Sequence, residues 1–256
     1  MEFEKVAEIV KGMPFISDTG ARIIYDLILH EKLTRILELG IAHGAATCYM
    51  AAALEELGGG NITSVDLIEA QEEFKPSPEY QLAKAGLSNF VNIVRMQTGY
   101  TWFLHNEIQR LTRDNICAQE YDLCIIDGPK NWTIDGCAFF LVDKILKENG
   151  WLIFDDLNWT YAGADERRDS TDGITHRKLS EEERITPQVR EIFELLVKQH
   201  QNYSHFQIVP EIGWAIARKT ASSRKDYTIL YTETYRDVLA GTLNGIKQRV
   251  KKLFRA

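Results

Sequence analysis

The sequence predicts an α/β fold: a doubly wound, seven-stranded sheet that is mostly parallel, with one antiparallel strand near its C-terminal end. Three observations predict it. Short β-branched runs alternate with helical stretches, the pattern of βαβ units around a parallel sheet. The last two strand candidates are separated only by Glu211, Ile212 and Gly213, too few residues for a parallel crossover and enough for a hairpin. Finally, 256 residues with 45% hydrophobic and 26% charged side chains can bury a substantial core, which excludes wholesale disorder.

Taken in chain order, residues 1–34 read as an N-terminal helical segment, with a helix over 17–32. Its first stretch, MEFEKVAEIVKGMPF, interleaves charges with apolar residues, so neither a signal peptide nor a membrane anchor is expected there. The main domain is expected over 35–219. Strand RILEL (35–39) leads to a helix at 44–57, ITSV (62–65) to one at 76–86, and VNIVRM (91–96) to one at 100–111. YDLCIID (121–127) then precedes a helix at 133–148, and WLIFDD (151–156) is the fifth strand. Residues 157–185 are dense in charge and poor in apolar side chains. That stretch far exceeds the usual connection of about 4–6 residues, so an irregular substrate loop is expected, such stretches being lids, binding segments or disordered. A helix at 186–201 and strands HFQIVP (205–210) and WAIARK (214–219) complete the sheet. Over 220–256, Leu239, Leu243, Ile246, Val250 and Leu253 recur at steps of four and three among Lys247, Arg249, Lys251, Lys252 and Arg255. An amphipathic C-terminal helix is expected, packed on its own domain, joining a homodimer or meeting an anionic membrane surface.

Composition narrows the function classes. Thirty basic side chains against 37 acidic ones give a formal charge of −7, so nucleic acid is not an expected partner. No run approaches the roughly 18 apolar residues of a spanning helix. Four cysteines, at 48, 117, 124 and 137, form no CxxC pair and are expected to be reduced in a cytoplasmic protein.

The first strand runs into Glu38-Leu39-Gly40-Ile41-Ala42-His43-Gly44 and an alanine-rich helix. Gly40 permits a sharp turn off the strand, and Gly44 lets a helix N-terminus approach a ligand. Asp66, at the end of the second strand, can accept from both hydroxyls of a ribose. The dinucleotide pattern GxGxxG is absent, because Leu39 and Ile41 flank Gly40. ELGxxxG followed by an acidic residue after the next strand resembles motifs I and II of the class I S-adenosylmethionine-dependent methyltransferases. The strand order with its terminal hairpin is similar to their Rossmann-like fold over roughly residues 17–219. That resemblance implies S-adenosylmethionine as cofactor, with Gly40 and Gly44 at its methionine moiety, Asp66 at the ribose and Thr98 near the adenine. Glu38, Ala42, Leu67 and Asp127 complete the implied cofactor-binding set. Many relatives carry an acid near the adenine position, where this chain has Gln97-Thr98-Gly99.

The fourth and fifth strands both end in acid, Asp127 and Asp155-Asp156. If those strands are neighbours about 4.8 Å apart, three carboxylates converge and repel one another unless a cation joins them. Oxygen-only donors favour Mg²⁺, with Mn²⁺ or Ca²⁺ as alternatives. One aspartate capping a helix while another is solvated is the competing reading. The spacing resembles the metal-dependent small-molecule O-methyltransferases of the catechol, caffeoyl-coenzyme A and antibiotic-sugar types. It is similar, too, to a bacterial group reading LELGxAHGxxT, YDxxxIDGxHxW and FDDLxW, in which Lys130 here replaces a frequent histidine. The resemblance implies Asp127, Asp155 and Asp156 as metal ligands. Asp127 and Lys130 are the expected catalytic residues: Lys130, three residues after Asp127 on the loop leaving the fourth strand, is the candidate general base, the alternative being an exposed lysine paired with Asp135 or solvent. The implied partner is a small-molecule acceptor (sugar, phenol or secondary metabolite) methylated on a hydroxyl. Two other functions stay open: a metal-independent methyltransferase acting on nitrogen, carbon or a macromolecule, and a silent cofactor-binding partner subunit. Trp102, Trp132 and Trp159 follow the third to fifth strands and can wall an acceptor or simply pack. His43, in the glycine turn, can line the pocket, but packing or a backbone hydrogen bond suits it better.

Overall fold

A computed structural model of the chain describes residues 1–164, 178–221 and 242–243. Residues Met1–Ser222 form one compact unit by themselves. Every element named below lies in it. The expected C-terminal amphipathic helix lies outside the described residues apart from 242–243, as does part of the expected 157–185 loop.

Seven strands form one sheet: β1 (Arg35–Leu39), β2 (Asn61–Leu67), β3 (Val91–Met96), β4 (Tyr121–Ile126), β5 (Leu146–Phe154), β6 (Tyr203–Val209) and β7 (Trp214–Lys219). Their order across the sheet is β3-β2-β1-β4-β5-β7-β6. β7 is the antiparallel strand, pairing with β5 on one side and β6 on the other. The pairs among β1 to β5 are parallel. The chain leaves β1 toward β2 and later returns to its other side as β4. This is the topological switch point, and ligands of open α/β sheets bind in the crevice outside the carboxyl ends of such strands.

Both faces of the sheet are covered, which explains why its strands read as nearly continuous apolar runs. In β1, Ile36 joins the core beneath helices α1 (Phe3–Ile9), α2 (Asp18–Glu31), α3 (Ala45–Leu57) and, past the short α4 (Ala70–Glu73), α5 (Pro78–Ala85). Leu37 and Leu39 join the opposite core, beneath α6 (Tyr100–Leu111) and α7 (Trp132–Ile145). The alternation is the two-residue period of a strand. Ser17 caps α2 by accepting from the Gly20 amide at 3.1 Å, and Asn131 caps α7 by accepting from Thr133 and Ile134.

The elements depart from expectation in a few places. Strand β5 begins at Leu146, inside the span expected to be helical, because Tyr121 pairs with Leu146 before the register shifts. It ends at Phe154, leaving Asp155 and Asp156 beyond the strand, with Asp156 in a left-handed conformation (φ 57°). The expected helix over 186–201 is α9 (Gln188–Glu191), continued as a π-helical stretch Ile192–Val197. Helix α8 (Glu181–Ile185), closed by a Ser180/Glu183 capping box, occupies the end of the expected loop. A two-stranded ribbon, Thr112–Arg113 with Ile116–Cys117, turns through Asp114 and Asn115, both at positive φ. Among the described residues no helix is long and apolar enough to cross a membrane. All four cysteines are free.

Candidate active site

The turn after β1 is fixed by backbone geometry. Gly40 has φ 101°, and a Cβ there would fall inside contact distance of the Asp127 carbonyl oxygen. The Gly40 amide donates to Val65 O at 2.9 Å, and the Asp127 amide donates to Leu39 O at the same distance. The turn is thus wedged between the ends of β2 and β4, and only glycine fits. Gly44 (φ 76°) meets protein: a Cβ would lie 2.5 Å from Pro78 Cβ, so the first turn of α5 presses on the start of α3. Ala42 also adopts positive φ.

Asp66 binds this turn directly. Its Oδ2 accepts from the amides of Ile41 (3.0 Å) and Ala42 (3.2 Å), and Oδ1 from Leu67 (2.8 Å). Arg95, level with Asp66 in the register of β3, places Nη1 4.0 Å from Asp66 Oδ2. Glu38 is buried, and its oxygens accept from the hydroxyls of Thr47 (3.0 and 2.8 Å) and Ser64 (2.6 Å). Burial lifts its carboxyl to about 8 against the pull of those hydroxyls, with Asp127 and Asp66 adding to the rise. Glu38, Gly40, Ala42, Gly44 and Asp127 line one narrow crevice at the switch point. Leu67 and Thr98 are exposed outside it.

Pro14 and Phe15 line the same crevice, a contribution that sequence reasoning missed. Phe15 stacks on His43 at 5.7 Å between centroids, and Phe74 meets the His43 ring edge-on at 5.2 Å. His43 Nδ1 is 3.2 Å from Pro76 O, in keeping with its expected packing and backbone hydrogen bond. No periodicity marks Phe15; the close approach of residues 14–15 to the glycine turn is a tertiary event.

The acidic residues converge, and a lysine joins them. Lys130, buried and at φ 63°, donates to Asp127 Oδ1 and forms an ion pair with Asp156 Oδ2 at 3.1 Å. Burial works against its ammonium, but Asp127 and then Asp156 outweigh burial and hold it above the ordinary lysine range. The carboxyl of Asp127 is raised by burial despite Lys130, and that of Asp155 is lifted to about 7 by burial and the charges of Asp127 and Asp156. Asp155 Oδ1 also accepts from the Asp156 amide at 2.6 Å. Behind the cluster, Asp135 takes the Tyr100 hydroxyl on Oδ1 and the Asn131 amide on Oδ2 at 2.7 Å. These contacts hold the Asp127–Lys130 loop, where a Cβ on Gly128 would strike both Tyr100 and Asp135. The Tyr161 hydroxyl donates to Pro129 O at 3.0 Å.

Hard cations take oxygen donors, and three carboxylates with one lysine leave an excess of negative charge, so the donor type fits a divalent metal. As they stand, though, no group of three or more His, Cys, Asp and Glu side chains among the described residues is arranged as a metal set. The cation seated in the cluster is Lys130. Of the tryptophans, Trp102 and Trp132 are exposed, with Trp102 stacked on His105 at 4.4 Å, while Trp159 meets Tyr161 edge-on at 4.7 Å.

Residues 37–157 match the family model of a methyltransferase domain. Rat arsenite methyltransferase is 32% identical over 131 residues, 50% of this chain and 32% of that protein, so the chain spans about a third of that relative's length. Among solved structures, an O-methyltransferase from Bacillus cereus in complex with S-adenosylhomocysteine superposes with a TM-score of 0.58 at 16% identity, covering 86% of this chain and 92% of that one. The O-methyltransferase TomG from Streptomyces achromogenes, involved in tomaymycin synthesis and in complex with S-adenosylmethionine, gives 0.57 at 18% identity, with 86% and 92% covered. At such identities the structural likeness is one of fold. Residues 37–157 are thus similar to a methyltransferase domain, and the sheet order agrees with that match.

Proposed function

We propose that the protein transfers a methyl group from S-adenosylmethionine to a hydroxyl of a small molecule. The observation that carries this reading is the juxtaposition of the glycine turn, anchored by Asp66, with the Asp127, Lys130, Asp155 and Asp156 cluster at the carboxyl ends of adjacent strands. Cofactor and acceptor oxygen could meet there. The cofactor brings its own electrophilic sulfonium, so the protein has to align the acceptor and accept its proton as the new bond forms.

Gly40, Ala42 and Gly44 shape the crevice for the methionine part, and Asp66 offers its carboxylate to the ribose hydroxyls. Asp127 lines the crevice and holds Lys130, joining the two halves of the site. Asp127, Asp155 and Asp156 would be the residues that hold a divalent cation, Mg²⁺ by preference. Such an ion supplies Lewis-acid polarisation of a coordinated oxygen. Lys130 is held as an ammonium by Asp127 and Asp156, so it can take a proton only when those carboxylates are otherwise neutralised. Trp132 and Trp159 could flank an acceptor ring or sugar face.

One experiment separates the readings. Metabolite extracts are incubated with protein and S-adenosylmethionine, with and without exhaustive chelation, and searched for the mass gain of one methyl group. Methylation that chelation abolishes and Mg²⁺ restores is expected. Methylation indifferent to chelation assigns the carboxylates a purely structural role, and none on any acceptor leaves a silent cofactor-binding protein.

A further inference from the structure

Arg95 lies outside every cofactor motif, near the carboxyl end of a strand at the edge of the sheet, yet its surroundings are those of a functional group. Its side chain is only 13% exposed. Nη2 donates to Glu79 Oε1 at 3.0 Å, and Nη1 faces Asp66 Oδ2 at 4.0 Å. Both Nε and Nη1 are buried without a hydrogen-bond partner. A guanidinium stays ionised in any protein setting, so a buried one with spare N–H groups needs a carboxylate close by. The nearer anchor, Glu79, stands in the first turn of α5 beside Pro78, which buttresses Gly44. One side chain of β3 therefore straps the end of β2 to the helix that supports the glycine turn.

We infer that Arg95 is a positioning residue for the ribose-binding carboxylate, a step that rests on Asp66 meeting the cofactor's ribose as proposed above. To accept from two hydroxyls at once, Asp66 must keep one rotamer. The turn amides of Ile41 and Ala42 hold Oδ2 from one side. Arg95 places a fixed positive charge behind the same oxygen, and Glu79 stops the guanidinium from swinging away. A shift of less than about 1 Å would bring the spare Nη1–H within hydrogen-bond distance of Oδ2 as the carboxylate settles around a ligand. Precise support of this kind separates a carboxylate that merely lies in a pocket from one that recognises its ligand.

The test compares two probes by calorimetry, S-adenosylhomocysteine and its 2′,3′-dideoxy analogue, on the full chain. Wild type should prefer the ribose form by roughly tenfold or more, the scale of charge-assisted hydrogen bonds. Arg95→Met should cut that preference at least fivefold, Arg95→Lys should restore part of it, and Glu79→Gln should weaken it in the same direction. Equal loss of affinity for both probes in Arg95→Met, or a full preference retained there, overturns the inference. If Arg95→Met does not fold, Glu79→Gln, a half-exposed site, decides: an unchanged preference is the overturning result. A wild type that binds both probes equally, or neither, overturns the ribose assignment itself, a failure distinct from that of Arg95.

Discussion

Glu38 is a buried carboxyl facing two hydroxyl donors and no paired cation, and its environment sets a testable pH dependence. In the unfolded chain it ionises near the ordinary value of 4.5, and in the folded protein near 8. Between those values the native state retains a proton that the unfolded chain has released, so its contribution to stability is full below 4.5 and is lost as pH rises through 8. The slope reaches at most about 1.4 kcal/mol per pH unit. Urea unfolding at pH 5, 6.5 and 8 should show wild type losing stability faster than Glu38→Gln; parallel curves would mean that the carboxyl ionises in the fold. Lys130 yields a second prediction. With cofactor and metal saturating, Lys130→Met should lower turnover by about 10² to 10⁴ if the residue takes the acceptor's proton, with cofactor affinity nearly unchanged. A loss under about threefold assigns Lys130 to charge balance in the acidic cluster.

At the scale of elements, helix α7 aims the Asp127–Lys130 loop. Asn131 ends that loop and caps the helix, accepting from two amides while buried. Asn131→Ala removes the cap and should cost about 1–2 kcal/mol in chemical denaturation, with the slope of the transition unchanged. A cost below about 0.3 kcal/mol would show the helix start to be held by Asp135 and Gln188, which take the Asn131 and Trp132 amides. The same region marks how far elements are legible. β1, β3 and β7 stand where their apolar runs place them, since each run is bounded by turn residues. β5 starts five residues early, because its first pairing, Tyr121 with Leu146, precedes a register shift around Asn149 and Gly150 that hydrophobicity does not encode.

For the molecule as a whole, a ligand that binds only the folded chain must raise its stability. S-adenosylhomocysteine at 100 times its dissociation constant should add about 2.7 kcal/mol. A melting temperature that does not move at that concentration would contradict binding at the switch point. Asp66→Ala should respond less at the same ligand concentration, since it loses the turn anchor together with the proposed ribose contacts.

Sequence by itself determined the α/β class, the terminal hairpin and the pairing of a glycine turn with Asp66, because strand period, loop length and glycine each answer to local sterics. It also placed the acids at Asp127, Asp155 and Asp156, since residues after the strands of a doubly wound sheet fall on its ligand side. Tertiary structure alone decided which side chain of the protein joins them. Lys130 lies three residues from Asp127 in the chain, yet its ion pair with Asp156 needs β4 and β5 side by side and Asp156 turned left-handed. Phe15 at the crevice and Arg95 behind Asp66 belong to the same category. Their roles arise from contacts across elements, whose electrostatics depend on burial and distance, and neither quantity is written in the order of residues.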